Sequence, residues 1–307
     1  MSIAAAERKI VVTRIYEKTV EKLILLAALT AAISVLLITI FIFKSGLPII
    51  AEYGIKDFLL GTEWRPGNGE YGILSLVAGT LSVTFTALII GIPTGICCAV
   101  FLAEILAKRP SRVFKFAIEL LAGIPSVVYG FFGLKVIVPM IRNTLLPVFQ
   151  VFDPNADTTG LSMLAGGIIL AIMILPTIVS LSENAISSVP LEYREASLAA
   201  GANKRETITK VIIPAAKSGI IASVILGMGR AIGETMAVLL ITGNVAMIPK
   251  SILDPVATLT GTIALEMGYA DPTHQQALFA VGIVLFFIIM ILNIIAQITS
   301  RRMGVSS

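Results

Sequence analysis

Pro190-Leu-Glu-Tyr-Arg-Glu195-Ala-Ser-Leu-Ala-Ala-Gly201-Ala-Asn-Lys-Arg-Glu206 is a charged island between two apolar stretches, Leu161 to Leu181 and Gly219 to Ile241. The island reads as a short helix, a glycine turn and a second helix that ends near Pro214. Gly201 follows a run of good helix formers and is free to take the left-handed conformation of a C-terminal cap. Asn203 then starts the next helix. A rigid helical pair of this kind suits a docking surface. Its flanks decide the fold, because each is long enough, at 1.5 Å rise per residue, to cross a hydrocarbon layer of about 30 Å.

Four further stretches have the same character: Leu23 to Phe43, Leu76 to Ala103, Phe116 to Met140 and Ala277 to Thr299. Backbone polar groups in lipid must bond internally, so all six are expected as helices of an all-α membrane protein. Composition agrees. Charged residues make up 14% of the 307 and hydrophobic residues 56%, with a mean hydropathy of +0.94. A soluble domain carries about 25% charged residues. The chain divides into a tail (1–22), a first span (23–43), a loop (44–75), a five-helix membrane domain (76–299) with the connection 182–218, and a tail (300–307).

Lys and Arg give the orientation. Sixteen lie in the two tails and in the second-to-third and fourth-to-fifth connections, against five in the opposite loops. Cytoplasmic loops hold the excess of basic residues, so both termini are expected in the cytoplasm. The basic residues form short stretches between apolar runs, which argues against nucleic acid as a partner. The first span is too long for a cleavable signal, follows a tail with acidic residues, and precedes no small-residue cleavage site. Tyr53, Phe58, Trp64 and Tyr71 fall in the first outer loop, either as an interfacial belt or as a surface for an outside partner. In the outer segment 242–276 a short helix is expected near Leu259 to Met267.

Gly91-Ile-Pro93, Gly123-Ile-Pro125 and Pro176 lie inside spans, where each proline removes a helix hydrogen bond and favours a kink. Charges inside spans sort by depth. Glu119 and Lys135 sit near opposite ends of the third span and reach the headgroups by snorkelling. Arg230 is at mid-membrane, where a cation costs about 2.5–3.5 kcal/mol on insertion scales. Glu234, one turn further on, is within reach of it. The pair is either a structural ion pair or a charge facing a polar path, and a fixed midplane cation suits an anion. Gly227, Gly229 and Gly233 leave room for close packing or a ligand.

Cys97 and Cys98 are adjacent within an apolar run and read as small packing residues rather than a disulfide or metal site. His274 is the only histidine, too few for a zinc site. The chain has no G-x-x-x-x-G-K-[ST] loop, so any ATP that drives it is bound elsewhere, and no enzyme activity is expected of the chain alone.

Glu195-Ala196-Ser197, Gly201, Val211, Ile213 and Pro214 resemble the EAA signature of ABC-importer permeases. The family form is Glu-Ala-Ala, three residues, Gly, nine residues, Ile-x-Leu-Pro. The spacing matches, with Ser197, Val211 and Ile213 as mild departures. Gly61-Thr-Glu-Trp64-x-Pro66 with Tyr71-Gly72 is similar to the outer loop of PstC-type phosphate permeases. So are Glu119-Leu-Leu-Ala-Gly-Ile-Pro-Ser-Val-Val-Tyr-Gly130, Gly229-Arg-Ala-Ile-Gly-Glu-Thr235 and Ile263-Ala-Leu-Glu-Met267. The sister PstA family shares the EAA loop and a similar Arg motif.

The resemblance implies a type I importer fold in a bacterial inner membrane or archaeal cell membrane. It implies a PstA-type permease as heterodimer partner, two PstB-type ATPase subunits that bind ATP and Mg, and a PstS-type phosphate-binding protein outside. It further implies that Glu195, Ala196 and Gly201 couple to the ATPase and that Arg230 and Glu234 serve the substrate path. No cofactor is expected in this chain beyond surrounding lipid. The alternatives are a permease for another oxyanion (sulfate or molybdate), an ion-driven secondary transporter, which would leave the EAA loop without a purpose, and a membrane scaffold or sensor.

Overall fold

The structure is a computed structural model that describes residues 3–151 and 159–302. Among these, the chain order is α1 (Ile3–Tyr53), α2 (Ile55–Leu60), β1 (Trp64–Arg65), β2 (Glu70–Tyr71), α3 (Leu74–Val100), α4 (Lys108–Ala122), α5 (Ser126–Phe132), α6 (Val138–Thr144), α7 (Leu146–Gln150), α8 (Met163–Ser187), α9 (Leu191–Ala199), α10 (Lys204–Thr207), α11 (Ile213–Ala215), α12 (Lys217–Ile232), α13 (Met236–Ile241), α14 (Leu259–Glu266) and α15 (Pro272–Arg302). Three π-helical turns, Phe101–Ile105, Gly133–Ile137 and Ile208–Ile212, join neighbouring helices. Five helices are long and apolar enough to cross a membrane. A sixth crossing is made when α10–α11 and α12, bent by 68°, count as one. The chain is an all-α membrane protein. The last part of the expected C-terminal tail, 303–307, lies outside the described residues.

The centre of the bundle is the contact of α3 with α8, and small residues make it. A Cβ on Gly91 would come within 2.8 Å of Ile174 Cδ1, and one on Gly95 within 2.7 Å of Ile178 Cγ2. Ala99 continues this stripe one turn on and is fully buried. From the other side, a Cβ on Gly167 would stand 2.3 Å from Thr86 Cγ2. Residues four apart share a helix face, so the small side chains form a groove that receives the Ile ridge of α8. Cys97 and Cys98 are on the other face of α3 and exposed. They are therefore not packing residues within this chain, contrary to their reading from sequence.

The first span passes its expected end at Phe43. Gly46 lets α1 close on α15, because a Cβ there would meet Ala280 N at 2.6 Å. The helix therefore continues along α15 to Tyr53 instead of opening into a loop. Beyond it, α2 and the β1–β2 hairpin fold inward. Phe58, Trp64 and Tyr71 are buried against Ala277, Leu278 and Val281 of α15. They form neither an interfacial belt nor an open docking face, since their apolar area is already used inside the chain. Trp64 Nε1 donates to Glu266 Oε2 (3.0 Å), and His274 Nε2 shares the same oxygen at 2.7 Å. The lone histidine thus closes a corner between α14 and α15.

The two Gly-Ile-Pro strings meet different fates. Helix α3 runs unbroken through Pro93. At Gly123-Ile124-Pro125 the helix stops, Pro125 adopts φ −58° and ψ 140°, and α5 starts afresh. Proline drives its predecessor out of the helical region, and Gly123 ends the preceding turn. The expected third span, Phe116 to Met140, is therefore interrupted at its first third, and the stretch long and apolar enough to cross is Ser126–Gln150, with α4 before the break. Lys115 of α4 bonds Glu183 and Asn184 near the end of α8, whereas Gly133 packs against Ile169 near its start. The chain climbs most of α8 between those points, with the break about half way.

Replacing Gly95 by valine should wedge α3 from α8. A cost of about 1–3 kcal/mol is expected, as for other overpacked cores. It is read as a lower thermal midpoint of the detergent-solubilised protein. Gly268→Ala, where a Cβ meets nothing within 4 Å, should leave the midpoint unchanged.

Candidate functional site

The fifth span is also broken. Helix α12 ends at Ile232, Gly233 caps it, and α13 begins at Met236. Depth follows from packing on α8. Gly219 lies against Ala185 near one end of α8, and Gly227 against Ile178 and Ile174 at its middle. Arg230 is less than one turn beyond Gly227, about 4.5 Å along the axis. It stands at half depth, as its place in the sequence implied.

The two breaks meet here. A Cβ on Gly130 of α5 would touch Leu240 Cδ1 (2.6 Å) and Ala237 Cα (3.1 Å) of α13. Tyr129 Oη donates to Leu121 O (2.7 Å), which ties the two sides of the first break. At the second break, Thr260 Oγ1 of α14 donates to Glu234 O (2.8 Å). Irregular backbone at membrane depth persists only where protein or a polar cavity satisfies it. These hydroxyls supply part of that satisfaction.

The structure does not join Arg230 to Glu234. The Glu234 carboxylate accepts from Ala237 N (3.2 Å) and so holds the first turn of α13. Among the described residues Arg230 is in no ion pair. The i to i+4 geometry fails because the helix ends between the two residues. Both are half-buried, Gly233 is exposed, and a Cβ on Gly229 would meet nothing within 4 Å. One side of this segment is thus open, while Gly227 on the other is packed. Glu119 and Lys135 are exposed on α4 and on the 133–137 turn.

The charged island folds as a helix pair. Glu195 and Ala196 are exposed on α9, and Gly201 turns the chain with φ +88°. Asn203 Oδ1 accepts from Glu206 N (2.9 Å), and Glu206 Oε2 accepts from Asn203 N (3.1 Å), a reciprocal capping box. The Asn203 N–H, then Lys210, hold the Glu206 carboxyl below the usual glutamate range. A lowered carboxylate pKa favours the folded corner above the ordinary glutamate pKa, and that contribution fades as pH falls through the lowered value. Leu191 and Leu198, seven residues apart and so on one side of the helix, leave an exposed apolar face on α9.

A multi-pass bundle with two helices broken at half depth and an exposed helical pair at one end defines a membrane permease. Residues 91–305 match the family described as binding-protein-dependent transport system inner membrane component, and the chain belongs to it. A "probable ABC transporter permease protein YqgH" of Bacillus subtilis is 39% identical over 86% of this chain and 85% of its own length. The phosphate transport system permease protein PstC of Xylella fastidiosa is 33% identical, covering 92% and 87%. That of Pasteurella multocida is 34% identical over 80% of each. Solved structures share the fold. A bacterial ABC transporter involved in alginate import aligns with TM-score 0.62 at 14% identity, over 94% of this chain and 99% of that one. The inward-facing MetNI methionine transporter aligns with TM-score 0.54 at 19% identity, over 76% and 94%. The chain is a permease subunit of an ABC importer.

Gly201→Ala should strain the turn, since a left-handed residue with a Cβ costs about 1–2 kcal/mol. No clash accompanies it, so the effect stays local. Amide exchange across 191–207 should quicken while the spans keep their protection.

Proposed function

We propose that this chain is the PstC-type permease of an ATP-driven phosphate importer, acting beside a PstA-type permease. The observation that carries this reading is Arg230: a cation at half depth, in no ion pair among the described residues, beside two broken helices, in a chain whose relatives include phosphate permeases. At such a depth a cation is expensive unless it faces a polar path or an anion. Phosphate passing Arg230 would find its charge offset there. Glu234 holds the start of α13, so its role is to shape the break rather than to neutralise the arginine.

The basic loops orient the chain with both termini and the α9–α10 corner in the cytoplasm. There Glu195, Ala196 and Gly201, with the apolar face of α9, would meet one of two PstB-type ATPase subunits, which carry ATP and Mg. A PstS-type protein would deliver phosphate at the opposite end. ATP closes the ATPase pair, α9 moves, and the helices rock so that the path opens alternately to each side.

Arg230→Gln in the complete complex should lower labelled-phosphate uptake about tenfold or more, equal to at least ~1.4 kcal/mol in the barrier. Assembly with the ATPase should persist, checked by co-purification. Unchanged uptake by the assembled variant would make Arg230 a structural residue and remove the main support for this reading.

A further inference from the structure

Among the described residues, Arg194 is the partly buried side chain of α9 that is hydrogen-bonded to the ends of α3 and α8. Arg194 Nε and Nη2 both donate to Glu104 Oε1, at 3.1 and 2.6 Å. The same guanidinium donates from Nη1 to Val189 O (2.6 Å) and from Nη2 to Ile186 O (3.1 Å). The side chains are only 20% and 10% exposed. Glu104 belongs to the π turn Phe101–Ile105 that extends α3, and Ile186 to the last turn of α8. One residue of α9 therefore grips the ends of both central helices. A planar guanidinium with several donors is suited to such a fixed, many-pointed contact, and lysine is not.

The other links are weaker in reach. The backbone connection from α8 is only Ser188 to Pro190. Ser197 Oγ and Thr207 Oγ1 lie 2.9 Å apart and join α9 to α10, on its own side of the corner. Beneath the pair, Ala99, Ile186, Val189, Ile212, Ala216 and Ile220 form a closed apolar cluster. A displacement of α9 reaches α3 directly through Arg194 and Glu104, and less directly through the Ser197–Thr207 bond, the 208–212 turn and the packing of Ile212 with Ala99. The contact of α3 with α8 would then carry it toward half depth, where Gly227 leads to Arg230.

We infer that the Arg194–Glu104 pair is a positioning device that makes α9, α3 and α8 move as one body, so that ATP hydrolysis in the partner is tied to opening of the path. This rests on α9 being the ATPase-docking helix. Without the pair, α9 pivots on 188–190, and hydrolysis continues with little transport.

The experiment uses the complete complex in proteoliposomes, measuring phosphate uptake and ATP hydrolysis together for Arg194→Gln, Glu104→Gln and the double variant. Phosphate moved per ATP should fall about fivefold or more in each single variant and no further in the double, the non-additivity expected of residues acting as a unit. A loss of stability alone would lower uptake and hydrolysis together and leave their ratio intact. An unchanged ratio, or additive losses, overturns the inference. Should Arg194→Gln fail to assemble, Arg194→Lys decides: it keeps the charge but not the fork, so a reduced ratio supports the pair and a normal ratio refutes it. Gly201→Asp separates the two levels. If that subunit still binds the ATPase and couples normally, the docking reading of α9 fails. If it does not, while the Arg194 variants pump normally, only the positioning role fails.

Discussion

Close approach of α3 to α8 sets the position of nearly everything else. Gly91 and Gly95 let Ile174 and Ile178 reach the backbone of α3, and Gly227 brings α12 onto the same two isoleucines. In a membrane, apolar side chains gain nothing by leaving lipid for one another. Dispersion contacts at short range and interhelical hydrogen bonds must hold the helices together. The small residues supply the first. The Ser182–Ser223 hydroxyl pair, fully buried at 2.7 Å between α8 and α12, supplies an instance of the second.

That rigid centre allows irregular backbone around it. Helices α4–α5 and α12–α13 are each broken at half depth, and each break is braced by a hydroxyl, from Tyr129 or Thr260. Broken helices release backbone polar groups inside the bundle, and they offer a place for the chain to bend. The 68° bend between α10–α11 and α12 connects this region with the exposed corner at Gly201. The same fold therefore contains a tightly packed core, a half-depth cation and an exposed helical corner.

Much of this was legible in the sequence, because its signals are local. Apolar length marked the spans, Gly201 and Asn203 marked the corner, and Arg230 stood out by depth. What escaped depended on long-range contacts. Glu104 and Arg194 are ninety positions apart in the chain, and nothing local in either segment names its partner. Trp64 looked interfacial because its type favours headgroups, yet Glu266 and α15 enclose it. Arg230 and Glu234 have helical spacing, but the stop at Ile232 could be placed only once α13 was seen to start its own turn. Gly91-Ile-Pro93 and Gly123-Ile-Pro125 are identical strings, and only their neighbours decide that one continues and the other breaks.

The most direct measurement is labelled-phosphate uptake by proteoliposomes containing the complete complex, with and without ATP, and with excess sulfate or molybdate. An ATP-driven phosphate importer predicts uptake that requires ATP and is unaffected by either competing oxyanion. Uptake that ran on an ion gradient without ATP, or that sulfate or molybdate displaced, would contradict the account.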